Sequence, residues 1–495
     1  MITPLLPASA ALPVWRRKGI RALEARLQSG CALSLMDQAG QAAARLAMAV
    51  APHARQIWVA AGPGNNGGDG LEAALHLHQW GKQVQVCLLG QPEELPMDAR
   101  RAWDRARQAG VPIRLGLPPC PPELDAQDLW LDALLGVGAS RAPQGEMLQG
   151  IDWINASRAV VLAIDLPSGL DTDSGQPLGE LRTLVKADHT LTFLGCKPGL
   201  FMGHGRDVCG QPWLASLGLP ADARTWCPPD AELNPPAPTM RRHHASHKGS
   251  HGDVAIVGGE CTDAAGMAGA AVLAAQGALH GGAGRVLLCL LGQTAMTPAI
   301  PAELMRADLA TLDLPHLTTV AGCGGGHAIA PALGRLMQHS ARLVLDADGI
   351  NSVARDTWMQ RLLTQRAARQ QSTVLTPHPL EAARLLGGNT AQVQADRIEA
   401  ARQLAERFDC CVVLKGSGTV IAAPGQLPRL NTTGNGLLAT GGTGDVLAGL
   451  TGARLAASGD AWSAACDAVW THGRLADEWP GGHALTASEL AQSLR

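Results

Sequence analysis

Apolar positions along this 495-residue chain alternate between two patterns. Short runs rich in Val, Ile and Leu read as buried strands, and longer stretches with apolar residues at helical spacing read as helices. Glycines stand between them, so the recurring unit is strand, loop and helix. Residues 20–50 are predicted helical: IRALEARL is amphipathic, and SLMDQAGQAAARLAMAVA sets Leu35, Met36, Ala39 and Ala43 on one side. QIWVAAG (Gln56–Gly62) is then a strand running into GPGNNGGDG (Gly62–Gly70), read as a glycine loop, and the helix LEAALHLHQW. The strand QVQVCLLG comes next. DLWLDALLGVGASRAP places Asp132 at a strand end before a second flexible loop, and AVVLAIDLPSGLD places Asp165 and Ser168 at another. KADHTLTFLGCKPGL continues the sheet.

The alternation restarts near residue 250. DVAIVGG is a strand, AGMAGAAVLAAQGALHGGAG a small-residue helix, and RVLLCLL and VAGCGGG (Val320–Gly326) are strands. ARLVLDADGIN ends in Asp346 and Asp348. STVLTPHPLEAARLLG passes from a strand to a helix start carrying His378 and Glu381. DCCVVLKGSGTVIAAP holds Lys415 in a glycine turn between two strands. Last comes GGTGD (Gly441–Asp445), opening a helix with Val446, Leu447, Leu450 and Leu455 at helical spacing. Between the halves, CPPDAELNPPAPTMRRHHASHKGSHGD turns proline-rich, then basic and histidine-rich, as a linker does. The expected organisation is a domain over 1–225, a linker over 226–245 and a domain over 246–495. Each is long enough for its own core, in an α/β fold of two doubly wound sheets. No short internal repeat is visible.

Composition narrows the function classes. A net charge of −3 gives no basic surface for nucleic acid and none for a membrane. The twelve cysteines are scattered without a CxxC pair, and Cys410 and Cys411 fall in a strand, which suits reduced thiols rather than a disulfide framework or a zinc site. The apolar start MITPLLPASAALPVW precedes Arg16, Arg17 and Lys18, the reverse of a signal peptide, and no run approaches the length of a membrane span. A soluble cytoplasmic protein is expected.

Two glycine motifs carry candidate chemistry. GGTGD at a helix start offers unpaired N–H groups and the positive end of the helix dipole, a ready phosphate site. Asp445 would repel that phosphate, so its place suits taking a proton from, or orienting, a hydroxyl that approaches it. In NNGGD, Asn65, Asn66 and Asp69 supply several acceptors and two amide donors, with glycines that let the backbone approach a ligand. Gly62, Gly64 and Gly67 form G-x-G-x-x-G, but the acid expected about twenty residues on is missing, which disfavours an ordinary NAD site. Asn66, Asp132 and Asp165 all fall at strand ends, where open α/β sheets gather their chemistry. His243, His244, His247 and His251 have no carboxylate or thiol beside them and are read as linker, not metal ligands.

Together these motifs are recognisable. GPGNNGGDG, DALLGVG and AIDLPSGLD resemble the epimerase domain of the NAD(P)H-hydrate repair enzymes. HKGSHGDVAIVGG, LDADGIN, LTPHPLEAARLLG, LKGSGT and GGTGD resemble their dehydratase domain, in the order of the bacterial bifunctional protein. The resemblance implies a Rossmann-like three-layer domain followed by a ribokinase-like α/β domain. It implies epimerisation of R and S hydrates of NADH and NADPH, then dehydration of the S form with ADP, or with ATP in eukaryotic relatives. Carried over, Asn65, Asn66, Gly67, Gly68 and Asp69, with Gly136, Val137, Gly138, Ala139, Ser140, Arg141 and Ala142, should hold the hydrate. Asn66, Asp132 and Ser168 should coordinate K⁺, a set of hard oxygen ligands, and Asp165 is the candidate acid–base group. In the second domain Ala270, Gly324, His378 and Asp445 should line the hydrate, with Asp445 catalytic. Lys415, Gly416, Ser417, Gly418, Thr419 and Gly444 should hold ADP, which carries Mg²⁺. A homo-oligomer is expected. The family usually has a proline-containing GPG loop where this chain has GCGGG (Gly322–Gly326), so a less rigid loop is expected here. The competing readings are a ribokinase-type small-molecule kinase, against which NNGGD argues, and a non-catalytic N-terminal binding module, against which Asn66, Asp132, Asp165 and Ser168 argue together.

Overall fold

A computed structural model describes residues 2–28, 34–239, 242–261, 266–292 and 300–494. Residues 29–33 inside the helical region, 240–241 in the linker and Ala265 at the head of the small-residue helix lie outside the described residues. The chain divides into two compact units, Met1–Glu232 and Leu233–Arg495.

The first unit is one eight-stranded sheet. Its order is Ile2–Pro4, Gln211–Ala215, His189–Phe193, Val160–Ile164, Leu129–Ala133, Ile57–Ala61, Val84–Leu88, Ile113–Leu115. All neighbours are parallel except the first pair. Alternate residues of each strand serve opposite faces. Val59, Leu131 and Leu162 join the core made with helices Arg17–Gln28, Leu35–Val50, Asn65–Gln79 and Met97–Gln108, whereas Ala60, Trp130 and Ala163 pack with Glu146–Ala156. The chain leaves Ile57–Ala61 toward one edge and returns to its other side at Leu129–Ala133. The crevice beyond these two strands is therefore a topological switch point, where open α/β sheets bind ligands.

The second unit repeats the scheme with strands in the order Met305–Arg306, Arg285–Leu290, Asp253–Gly258, Thr318–Ala321, Arg342–Leu345, Ser372–Leu375, Cys411–Leu414, Val420–Ala422, Arg429–Leu430. It is parallel up to Cys411–Leu414 and antiparallel beyond. Its switch point lies between Asp253–Gly258 and Thr318–Ala321. Helix Thr443–Ser458, opened by GGTGD, is buried against helix Ala268–His280 and the sheet. The approach is backbone to backbone: a Cβ on Gly449 would fall 1.8 Å from the Ala274 carbonyl oxygen, and one on Gly277 would fall 2.4 Å from that of Val446.

Two expectations change. NNGGD is not loop: helix Asn65–Gln79 begins within it, capped by Gly64. Its glycines are packing positions rather than flexible ones. A Cβ on Gly67 would meet the Gly62 carbonyl at 1.9 Å, and one on Gly68 the Met36 side chain at 2.6 Å. The proline-rich stretch is also partly ordered. Ala231–Leu233 is a strand antiparallel to Pro13–Val14, and buried Asn234 bonds to Asn431 and the Cys466 carbonyl. Of the four linker histidines, His243 and His244 are exposed, His247 caps the turn Lys248–His251, and His251 meets the Ser246 hydroxyl. All eleven described cysteines are free thiols. Among the described residues no helix is long and apolar enough to cross a membrane.

The close helix approach yields a first prediction. Gly449→Ala should cost about 2–3 kcal/mol through overpacking, read as a lower urea midpoint with unchanged slope. A variant within about 0.5 kcal/mol of the parent contradicts the packing described.

Candidate functional site

At the first switch point the strand ends deliver their acids into one space. Asp165, directly after Val160–Ile164, has a φ of 68°, a left-handed conformation that strains a non-glycine residue and recurs at functional sites. Its Oδ2 accepts from the Val137 N–H at 2.9 Å, so the loop Gly136–Ala142 is tied to it. Its Oδ1 lies 2.6 Å from Nζ of Lys197, a lysine with no solvent exposure that also donates to Thr192 Oγ1 (2.7 Å) and the Phe193 carbonyl (3.1 Å). A Cβ on Gly136 would sit 3.0 Å from Asn66 Cγ and 3.1 Å from Asp165 Oδ2, so Asn66, Gly136 and Asp165 enclose the same small volume. A side chain at position 136 would fill it.

Asp132 is fully buried. Ser168 donates to it twice, Oγ at 2.6 Å and N–H at 2.8 Å, and the Leu134 N–H adds a third bond at 3.2 Å. Burial nonetheless pushes its carboxyl up to about 6, against those hydrogen bonds. Asn66 is the contrast: both side-chain polar atoms are buried without a partner among the described residues. An unpaired buried amide is costly and calls for a ligand. Asp69, one turn further along the helix, is pushed well above the ordinary carboxyl range by burial, then by the charges of Asp165, Glu24 and Glu72.

At the second switch point, Gly322, Gly324 and Gly326 all have positive φ (115°, 58° and 52°). The loop is tighter than GCGGG suggested. Gly326 N–H donates to Asp348 at 2.9 Å, Cys323 is buried, and a Cβ on Gly324 would meet Ala270 at 2.9 Å. Across from it, buried Asp346 takes Lys415 Nζ at 2.5 Å and Thr376 Oγ1 at 2.8 Å on Oδ1, while its Oδ2 faces the Cys323 thiol at 3.9 Å. Lys415 follows strand Cys411–Leu414 and its N–H donates to the Pro377 carbonyl, beside His378. His378 caps helix Pro379–Leu386: its Nδ1 accepts from the Leu380 and Glu381 N–H groups and its Nε2 meets Glu381 Oε1 at 3.1 Å. With both ring nitrogens engaged, the ring face is what His378 can offer a ligand.

Asp445 completes the group. It lies in the first turn of Thr443–Ser458, near Cys323 and Asp346. Burial, then the Asp346 charge, pushes its carboxyl up to about 7. The loop before it is open: among the described residues nothing lies within 4 Å of a Cβ on Gly441, and only Lys415 Nζ, at 3.5 Å, approaches one on Gly444. Its seat is held by His472, whose ring meets the Thr443 carbonyl at 2.9 Å and which burial keeps neutral, with its pKa down at about 4. Another buried cation supports the turn after Lys415. Arg397 donates from Nη2 to the carbonyls of Leu414, Lys415 and Gly418 at 3.1, 3.1 and 3.3 Å. Each site thus brings together an anionic group, a lysine (fully buried at Lys197, partly exposed at Lys415) and open backbone, as acid–base and phosphate chemistry require. Lys197 and Arg397 were not singled out from the sequence.

Two family models match the chain. The YjeF-related protein N-terminus covers residues 32–199, and NAD(P)H-hydrate dehydratase covers residues 254–495. The bifunctional NAD(P)H-hydrate repair enzyme Nnr of Escherichia coli (strain K12) is 34% identical, over 99% of this chain and 94% of that protein. The protein of the same name from Coxiella burnetii is 35% identical, over 97% and 98%. Among solved structures, an ADP/ATP-dependent NAD(P)H-hydrate dehydratase from Bacillus subtilis, co-crystallised with ATP/Mg²⁺, is 31% identical over 52% of this chain and 92% of its own, with a TM-score of 0.44.

The raised carboxyl of Asp445 has a consequence for stability. The unfolded chain gives up this proton near pH ~3.9, the folded chain only at about 7. Between those values the folded state binds the extra proton, so Asp445 lowers stability as pH rises through the window. Asp445→Asn should therefore melt at a higher temperature than the parent at pH 8, with the gap closing toward pH 4 in thermal melts. A gap that is constant with pH contradicts the raised carboxyl.

Proposed function

This chain belongs to the bifunctional NAD(P)H-hydrate repair enzymes, and on that premise we propose that it interconverts the R and S hydrates of NADH and NADPH in its first unit and removes water from the S hydrate in its second, using ADP. The observation that carries the reading is Asp445: a carboxyl raised to about 7 at the open mouth of a glycine-rich helix start, with Lys415 alongside. That arrangement pairs a base working near neutral pH with a seat for phosphate.

In the dehydratase site, hydroxide is a poor leaving group from the hydrate ring and phosphate a good one. Asp445 takes the proton of the ring hydroxyl as it attacks the terminal phosphorus of ADP. The bond from that phosphorus to the bridging oxygen breaks and AMP leaves. The N–H groups of the Gly441–Gly444 loop stabilise the transferring phosphoryl group. Loss of phosphate from the ring then restores the reduced nicotinamide. Lys415 to Thr419 and Gly444 hold the nucleotide, and Ala270, Gly324 and the ring face of His378 line the hydrate. Mg²⁺ takes most of its ligands from phosphate oxygens and water. Asp346 suits it, because its Oδ2 carries only the Cys323 thiol. When bound, the ion neutralises phosphate charge.

In the epimerase site, Asn65 to Asp69 and the Gly136–Ala142 loop hold the hydrate and Asp165 serves as the acid–base group. Asn66, Asp132 and Ser168 fit K⁺: they are hard oxygen ligands, and Asn66 has a buried oxygen without a partner. When bound, K⁺ supplies positive charge beside the buried Asp132.

Two variants test the reading. Asp445→Asn should lower ADP-dependent dehydration of the S hydrate by about 100-fold or more while ADP affinity by calorimetry stays nearly unchanged. Lys415→Ala should weaken ADP more than the hydrate. Near-normal turnover in the first variant, or equal loss of both ligands in the second, contradicts the assigned roles.

A further inference from the structure

The epimerase site holds more ionisable groups than one acid–base residue requires. Asp165, Asp69 and Glu24 come from a strand end and two different helices, and they share one buried cation, Lys197. How that cation is placed separates their roles.

Asn66 and Asp69 are three residues apart on helix Asn65–Gln79 and so lie on one face. A Cβ on Gly136 would lie 3.0 Å from Asn66 and 3.1 Å from Asp165 Oδ2, and Asp69, on the helix face that carries Asn66, lies within range of the Asp165 charge. Lys197 stands against Asp165 at 2.6 Å. Its three N–H bonds go to Asp165, Thr192 and Phe193, which leaves it no proton to direct at a ligand. The charged groups acting on Asp69 are Asp165 from the strand end, Glu24 from helix Arg17–Gln28, Glu72 from its own helix, and, as the weakest contribution, Lys197. Glu72 is itself engaged by Arg105 of helix Met97–Gln108, which also holds Asp37 of helix Leu35–Val50.

The geometry points to Asp69 as the proton donor of the epimerase site, opposite Asp165 as the proton acceptor, with Lys197 as the positioning residue that distinguishes them. Two carboxyls in unlike environments are a recurring way to provide an acid and a base at one pH. Burial and the neighbouring carboxylates push the Asp69 carboxyl well above its ordinary range, toward the protonated form.

The inference rests on the epimerase reading, and the chemistry follows from the substrate. The two hydrates differ at the ring carbon that bears the hydroxyl, next to the ring nitrogen. Asp69 gives its proton to that hydroxyl. The C–O bond breaks, its electron pair leaves with oxygen as water, and the nitrogen lone pair forms a C=N bond. Water adds to the opposite face as Asp165 takes a proton from it. One proton has passed from Asp69 to Asp165, and the substrate's composition is unchanged. The reverse reaction uses the two groups in exchanged roles, and Asp69, which is partly exposed, re-equilibrates with solvent.

The test uses the full chain without nucleotide, following the conversion of R hydrate to S from about pH 5.5 to about 8.5, a range that brackets the neutral pH at which such groups work, with the spontaneous rate subtracted. Asp69→Asn should lower kcat by about 100-fold or more, a larger effect than its effect on KM. The parent rate should fall at the alkaline end as Asp69 loses its proton, and this fall should vanish in the variant. Asp69→Glu should recover part of the rate. In ¹⁸O-labelled water the S product should gain solvent oxygen at each turnover. Circular dichroism and an unchanged thermal melt report that the first unit of each variant is folded, and ADP-dependent dehydration of S hydrate reports the same for the second. Asp69→Asn with the parent kcat and pH profile, or with KM alone raised, overturns the inference. A parent chain no faster than the spontaneous rate overturns the epimerase reading itself.

Discussion

Each half of this chain pairs a lysine with one buried aspartate and leaves a second aspartate to the charge that remains. Lys197 meets Asp165 at 2.6 Å and Lys415 meets Asp346 at 2.5 Å, each at the C-terminal ends of parallel strands. The Lys197–Asp165 pair, buried on both sides, is an obligation for the fold, since removing one partner strands a charge at a cost of about 3–5 kcal/mol. Each pair also commits its lysine to one partner. Asp69 and Asp445, near these pairs but not paired with the lysines, keep raised carboxyls. Unlike pairs of acids made in this way are what proton transfer at neutral pH needs.

The folds place these groups by backbone proximity more than by side-chain packing. In the first unit Gly62 and Gly67 let helix Asn65–Gln79 start against the Leu134 backbone and the preceding turn, which puts Asn66 beside Gly136. In the second, Gly277 and Gly449 let two helices touch, which fixes the start of Thr443–Ser458 and with it Asp445. Both sites sit where the strand order reverses, so neighbouring strands diverge and open a crevice. Stability and chemistry are thus met by the same residues, and the glycines that look like flexible loop are in part the tightest contacts in the structure.

The strands that line the two switch points were legible because each is a short apolar run followed by glycine and an acid. Asp132, Asp165 and Asp346 stand out at strand ends, and Asp445 stands out through the glycine loop that opens its helix. Other elements left a weaker signal. Helix Met97–Gln108 buries only Ala99, Ala102 and Ala106 among arginines and aspartates, so its apolar stripe is too faint to read. The end of the NNGGD loop was misplaced because asparagine and glycine signal turns locally, while tertiary contact rewards glycine inside this helix. Lys197 was hidden for a different reason. In LGCKPGL it is one lysine in a loop, and only the sheet brings it to Asp165. Arg397 likewise looks like a first-turn residue of its helix until the Lys415–Gly418 carbonyls are seen around it.

The most direct measurement offers the full chain an equilibrated mixture of R and S hydrates with ADP and follows the return of reduced-nicotinamide absorbance. If one chain carries both chemistries, absorbance should rise past the S share to full recovery, faster than spontaneous equilibration allows, with AMP and phosphate formed in step. A plateau at the S share followed only by the slow spontaneous rise would contradict the epimerase half of the account, and no rise above the nucleotide-free control would contradict the dehydratase half.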